Sequence, residues 1–113
     1  MNFESLIKKM TRAAVQGNGA MVADCFTADG VYHDVFYGNF TGQDIARMIE
    51  DYFHRDGENF RWDIFEPVEQ RNMGYARYVF SYGSRLPDFQ EQRAIFEGVA
   101  ICQLRDGRIS DYR

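Results

Sequence analysis

The sequence predicts an α+β fold in which three N-terminal helices pack into the concave face of a curved antiparallel sheet. Three observations carry this expectation. Apolar residues recur at three- and four-residue steps through most of the chain up to Phe53, interrupted by one strand-like stretch at residues 31–37. From Phe60 onward the period changes to two, in long runs rich in aromatic and β-branched residues. Turn signals at Asn72-Met73-Gly74 and Asp106-Gly107 divide those runs as antiparallel hairpins require. Strands longer than the usual ~5–6 residues twist and coil, so the sheet is expected to curve around the helices.

Taken in order, Phe3, Leu6, Ile7, Met10, Ala13 and Ala14 mark one apolar helix face, with Asn2 as cap and Gly17 as stop. Asn18 caps a short second helix carrying Met21, Val22, Cys25 and Phe26 inward. Gly17-Asn18-Gly19-Ala20-Met21-Val22 is not a dinucleotide-binding loop, because it follows a helix and its third glycine position holds Val22. Ala28-Asp29-Gly30 reads as a turn, Val31–Tyr37 as a strand, and Gly38-Asn39 as a two-residue hairpin. Thr41 with Asp44 caps a third helix from Gly42 to Arg55, ended by Gly57. Strands are expected at Phe60–Gln70, Tyr75–Arg85, Arg93–Arg105 and Arg108–Arg113, with Pro67 marking an edge or a bulge. The last strand is short.

The chain has 113 residues, 45% of them hydrophobic and 16% aromatic, without a composition break, which suits a single domain over residues 1–113. A net charge of −4 argues against a nucleic-acid or anionic-membrane partner. No apolar run approaches the ~20 residues of a membrane span, and Met1-Asn2-Phe3-Glu4 is unlike a signal peptide, so the expected location is cytoplasmic. Cys25 and Cys102 lie among apolar residues and read as buried free thiols.

Few residues offer chemistry. His33 and His54 have no metal-ligand spacing, no serine sits in a nucleophile motif, and no glycine-rich phosphate loop exists, so neither metal nor cofactor is expected. Asp34 stands out. Strand alternation puts Tyr32, Asp34 and Phe36 on one face, where a carboxylate between aromatic rings is partly desolvated and suits a general acid or base. Arg77 is a candidate ion-pair partner for Asp34 or Glu97. Tyr78, Phe80 and Tyr82 share one strand face, and Phe60, Trp62 and Ile64 share one on its neighbour. One of these sets has to line the interior; the sequence leaves open whether the other covers the outside. An apolar pocket of this kind suits a hydrophobic small-molecule ligand, with Tyr32, Phe36, Trp62 and Tyr78 as wall residues. Tyr75–Arg85 and Arg93–Arg105 are apolar on both faces, which points to a homodimer through the outer face.

The phrase Phe26-Thr27-Ala28-Asp29-Gly30-Val31-Tyr32, Asp34 on the following strand, and Gly38-x-x-x-Gly42 before a helix resemble the nuclear transport factor 2-like superfamily, in its SnoaL-like polyketide cyclase and ketosteroid isomerase-like branch. The resemblance implies a cone-shaped α+β barrel and an isomerase- or cyclase-type enzyme acting on a small hydrophobic carbonyl compound. It also implies Asp34 as the proton-transfer group, the alternative being a non-catalytic binding or dimerisation module. In ketosteroid isomerases the base falls on Asp34, the tyrosine on Met10 and the second Asp near Val99 or Ala100, so two of the three groups are replaced here. Limonene-epoxide hydrolases, also in the superfamily, use an Arg-x-Asp that this chain meets only with Arg77.

Overall fold

The computed structural model describes residues 2–89 and 92–113. Helix α1 spans Phe3–Val15, and the Asn2 side chain caps it by accepting the Ser5 amide at 2.8 Å. Helix α2 spans Gly19–Asp24 and is capped in the same way by Asn18, as its sequence predicts. Helix α3 begins with Asp44–Arg47, passes through a π-helical segment at Met48–Phe53, and closes with His54–Asp56. The wider turn lines Met48 up with Phe53, so the face that buries Met48 also presents Phe53 inward. Gly57 does not terminate this helix by a left-handed turn. Its φ is −139°, extended backbone, and it opens the next strand.

Among the described residues, six strands form one sheet in the order β2-β1-β6-β5-β4-β3. They are β1 (Phe26–Asp34), β2 (Gly38–Thr41), β3 (Gly57–Gln70), β4 (Met73–Ser84), β5 (Arg93–Arg105) and β6 (Arg108–Tyr112). The α+β fold is as expected, but the sheet is mixed, because β1 runs parallel to β6 while the other pairings are antiparallel. A long crossover through α3 and the meander separates β1 from β6 in the chain, which is what a parallel neighbour requires. Ala28-Asp29-Gly30, read as a turn, lies inside β1, where the β1–β6 register shifts between Phe26 and Val31. This is a bulge, and a bulge and a turn share the same small, flexible residues.

The first hairpin also differs from its prediction. Asp34 pairs with Gly38, so β1 ends at Asp34 and the turn is Val35-Phe36-Tyr37 rather than Gly38-Asn39. Likewise Gln70 pairs with Met73, placing the β3–β4 turn on Arg71 and Asn72, both with positive φ, one residue before the expected centre. Asp106-Gly107 turns as predicted, at φ 54° and 76°. Edge strand β3 has bulges between Glu58 and Arg61 and between Phe65 and Val68, so Pro67 lies at both an edge and a bulge.

The core fills the concave side. Phe3, Leu6, Ile7 and Met10 of α1, Ile45, Met48 and Ile49 of α3, and Ala76, Ala100, Cys102, Ile109 and Tyr112 of the sheet are buried together. Burial pushes the Cys102 thiol up to about 12, so both cysteines are inert packing groups. Trp62 sits directly opposite Phe80, and Ile64 opposite Tyr78. Both aromatic sets therefore face the same way, into the concavity. The convex face keeps Tyr75, Ile95, Val99 and Ile101 exposed.

Candidate functional site

Between the sheet and the end of α3 the concavity stays open as a small cavity of about 150 Å³. Its lining, apolar and aromatic with a few polar groups, is that of a small-molecule pocket. Tyr32, Asp34, Phe36, Trp62 and Tyr78 all line it, together with residues from α3 and from every strand except β2.

Strand alternation builds the inner end. Tyr32 on β1 and Tyr112 on β6 lie opposite each other, and their rings stack at 4.7 Å with 15° between planes. They are only 5% and 4% exposed. Burial pushes both hydroxyls well above the ordinary tyrosine range, and the nearby Asp34 charge adds to this. Neither hydroxyl finds a hydrogen-bond partner among the described residues. Trp62 meets Phe80, Tyr78 and Tyr112 edge-on, at 5.1, 6.3 and 6.4 Å. Its buried indole N–H has no acceptor among the described residues. Tyr78 lies flat over Gly98, where an added Cβ would come within 2.7 Å of the tyrosine oxygen. The glycine is there because no side chain fits beneath the ring.

Asp34 stands between this inner end and the mouth. It is half-buried, and one carboxylate oxygen accepts the amides of Phe36 at 2.8 Å and Tyr37 at 2.9 Å. The β1–β2 hairpin tip is thus shaped by Asp34 itself, in the manner of an Asx turn. Arg77 is not its partner. That side chain lies on the convex face, where it donates to Glu66 at 3.1 and 3.3 Å and stacks over Phe65. Alternation about Tyr78 directs residue 77 outward, away from Asp34; Glu97 shares that outer face, but Arg77 bonds Glu66 instead. Among the described residues, no cationic side chain pairs with Asp34. Phe36 is 63% exposed at the hairpin tip and touches the cavity through Phe96, edge to face at 5.5 Å.

Three groups on this wall had no sequence signal. The Tyr37 hydroxyl donates to Asp56 at 2.7 Å, and Arg55 clamps the same carboxylate with two bonds of 2.7 and 2.9 Å. The Arg55 hydrogen bonds hold Asp56 below the usual carboxylate range, while burial and the bond to Asp56 push the Tyr37 hydroxyl up. Tyr37 and Asp56 are 19 residues apart, and only tertiary folding brings them together. Tyr112 could have been found, since it alternates inward one residue before the chain ends. His33 is held at one ring nitrogen by Asn39 and at the other by Asp111, which also accepts from Arg113. Among the described residues, no cluster of three or more His, Cys, Asp or Glu could hold a metal ion. None of the helices in the described residues is long and apolar enough to cross a membrane.

The profile of the SnoaL-like domain family matches residues 7–112. A comparison with curated proteins gives no match. Solved structures similar in fold include a ketosteroid isomerase-like protein from Catenulispora acidiphila in complex with trimethylamine. Its TM-score is 0.81 at 16% identity, covering 95% of this chain and 81% of that one. Another is an LEH-like epoxide hydrolase of M. tuberculosis, with TM-score 0.76, 15% identity, and 96% and 77% of the two chains covered. A third is a candidate polyketide cyclase from Xanthomonas campestris, with TM-score 0.73, 17% identity, and 96% and 85% covered. At such identities the likeness is one of fold.

Proposed function

The chain belongs to the SnoaL-like domain family, and on that premise we propose that its cavity is the active site of an isomerase- or cyclase-type enzyme. The substrate is a small, mainly apolar carbonyl compound, and Asp34 is the acid/base. In the proposed step the Asp34 carboxylate takes a proton from the carbon next to the carbonyl. The C–H electron pair moves into the carbonyl as an enolate, and protonated Asp34 returns the proton at another carbon or after ring closure. The neutral hydroxyls of Tyr32 and Tyr112 hold the developing oxyanion by hydrogen bonds, in a site that excludes water.

The observation that carries this reading is the pairing of a carboxylate, ion-pair-free among the described residues, with the unpartnered hydroxyls of two buried tyrosines across one apolar cavity. The two amides on Asp34 favour a second reading, in which the residue only shapes the hairpin and the domain binds its ligand without turnover. Deuterium uptake from D2O next to the carbonyl of 1-tetralone, followed by proton NMR, separates the two. The enzyme reading expects uptake that Asp34→Asn reduces at least a hundredfold while the ketone still quenches Trp62 fluorescence. Equal uptake by the two proteins would defeat it. We also propose a cytoplasmic homodimer, joined through the exposed convex residues Tyr75, Val99 and Ile101 of β4 and β5.

A further inference from the structure

We infer that the molecule this cavity takes carries a positively charged nitrogen, seated in the outer half between the Asp34 carboxylate and the faces of the Tyr82 and Phe96 rings. The inference rests on reading the cavity as a ligand site and takes the binding reading of Asp34 over the acid/base one, because a carboxylate paired with an ammonium is withdrawn from proton transfer. It goes beyond that reading by fixing the charge of the ligand's outer end, away from the hydroxyls of Tyr32 and Tyr112.

The charges on this wall do not balance. Asp34 and Asp56 both make their fields felt at the hydroxyls of Tyr37 and Tyr82, so negative potential gathers at the mouth. Asp56 is matched by the two bonds from Arg55. Asp34 is matched by backbone amides alone, which supply partial charge and no cation. Arg113 and His33, which also reach the lining, are committed elsewhere, the arginine to Asp111 and the histidine to Asn39 and Asp111. A carboxylate half-withdrawn from water in an apolar mouth is costly to cover unless a counter-charge covers it.

The surrounding rings make the same selection. Tyr82 and Phe96 stack at 6.3 Å, and Phe36 closes on Phe96 at the rim. Aromatic faces are the negative part of the ring quadrupole and attract a cation held within about 6 Å. A neutral apolar group in this position would strip water from Asp34 without compensation. A carbonyl oxygen there would be repelled by the carboxylate, and a hydroxyl would bond the carboxylate but gain nothing from the ring faces. An ammonium with alkyl substituents satisfies the carboxylate and the ring faces together, and the net charge of −4 favours its approach.

Choline and its neutral carbon isostere 3,3-dimethylbutan-1-ol test this, since they share a shape and differ in charge. Trp62 is the only tryptophan and lines the cavity, so its fluorescence reports occupancy directly. Choline is expected to bind at least about tenfold tighter than the alcohol, the scale of a desolvated cation–ring contact with an ion pair. Asp34→Asn, which keeps an oxygen for the two amides and so keeps the hairpin, is expected to erase that preference while changing alcohol binding less than about twofold. If the alcohol binds as well as choline, or Asp34→Asn leaves the preference intact, the cation is overturned and the ligand site stands. If neither probe perturbs Trp62 at tens of millimolar, the cation and the ligand site fall together.

Discussion

Replacing Asp34 by alanine or asparagine separates its structural work from its chemical work. Its carboxylate accepts two amides, at 2.8 and 2.9 Å, and those bonds hold the Val35-Phe36-Tyr37 turn. Buried hydrogen bonds to a charged group are worth about 1.5–3 kcal/mol each, but water reaches this tip, so Asp34→Ala should cost only about 1–2 kcal/mol in total. Water access is plain from Phe36, which is 63% exposed. With about 2.1 cal/mol/K of unfolding entropy per residue, that loss lowers the melting temperature of a domain this size by about 4–8 °C. Asparagine retains an amide oxygen in the same place and should cost less than about 0.5 kcal/mol. Thermal unfolding followed by circular dichroism reads both variants. An asparagine variant as unstable as the alanine one would mean that charge, and not the turn bonds, holds the hairpin. An alanine variant as stable as the parent would remove the structural role altogether.

Gly98→Ala places a Cβ within 2.7 Å of the Tyr78 oxygen, so it should swing that ring, change Trp62 emission, and cost about 1–2 kcal/mol; unchanged emission would show that Tyr78 yields freely. Burial raises the Tyr32 and Tyr112 hydroxyls, so the unfolded chain ionises first and the stability they contribute is present below about pH 10 and lost as pH rises beyond it. The Tyr32→Phe, Tyr112→Phe double variant should therefore show a flatter urea-unfolding stability between pH 9 and 11, and an unchanged slope would refute their buried state. Val99→Asp, on the convex face, should convert the proposed dimer to monomer in sedimentation at micromolar concentration, whereas a parent that already sediments as a monomer contradicts the dimer.

Much of the fold was legible because local rules and burial agree along this chain. Asn2 and Asn18 cap helices where predicted, and Asp106-Gly107 turns where predicted, since each acts within a few residues. The misplaced features are those that neighbours decide. Gly38-Asn39 is a strong hairpin signal, yet the Asp34 side chain captures the two preceding amides and moves the turn back. The bulge at Ala28-Asp29-Gly30 exists because β1 must pair with β6, which lies some eighty residues further along the chain. The site was half legible for the same reason. Alternation grouped Tyr32 with Asp34, Tyr78 with Phe80 and Tyr82, and Phe60 with Trp62, but left open which of the last two sets lines the interior, and the cavity takes both. The Tyr37–Asp56–Arg55 cluster joins the hairpin tip to the end of α3 and has no local signature. The sequence offered Asp34 or Glu97 as partner for Arg77, and neither pairs with it, because Glu66 on the neighbouring strand reaches it first.

The central claim, that the concave aromatic cavity is where this protein takes its ligand, is tested most directly by intermolecular nuclear Overhauser effects to a bound apolar ketone. With 1-tetralone and uniformly labelled protein, contacts are predicted from the ketone's ring protons to the rings of Trp62, Tyr78 and Tyr112, which line the cavity. Contacts confined to Val99, Ile101 and Tyr75 on the convex face would contradict the account.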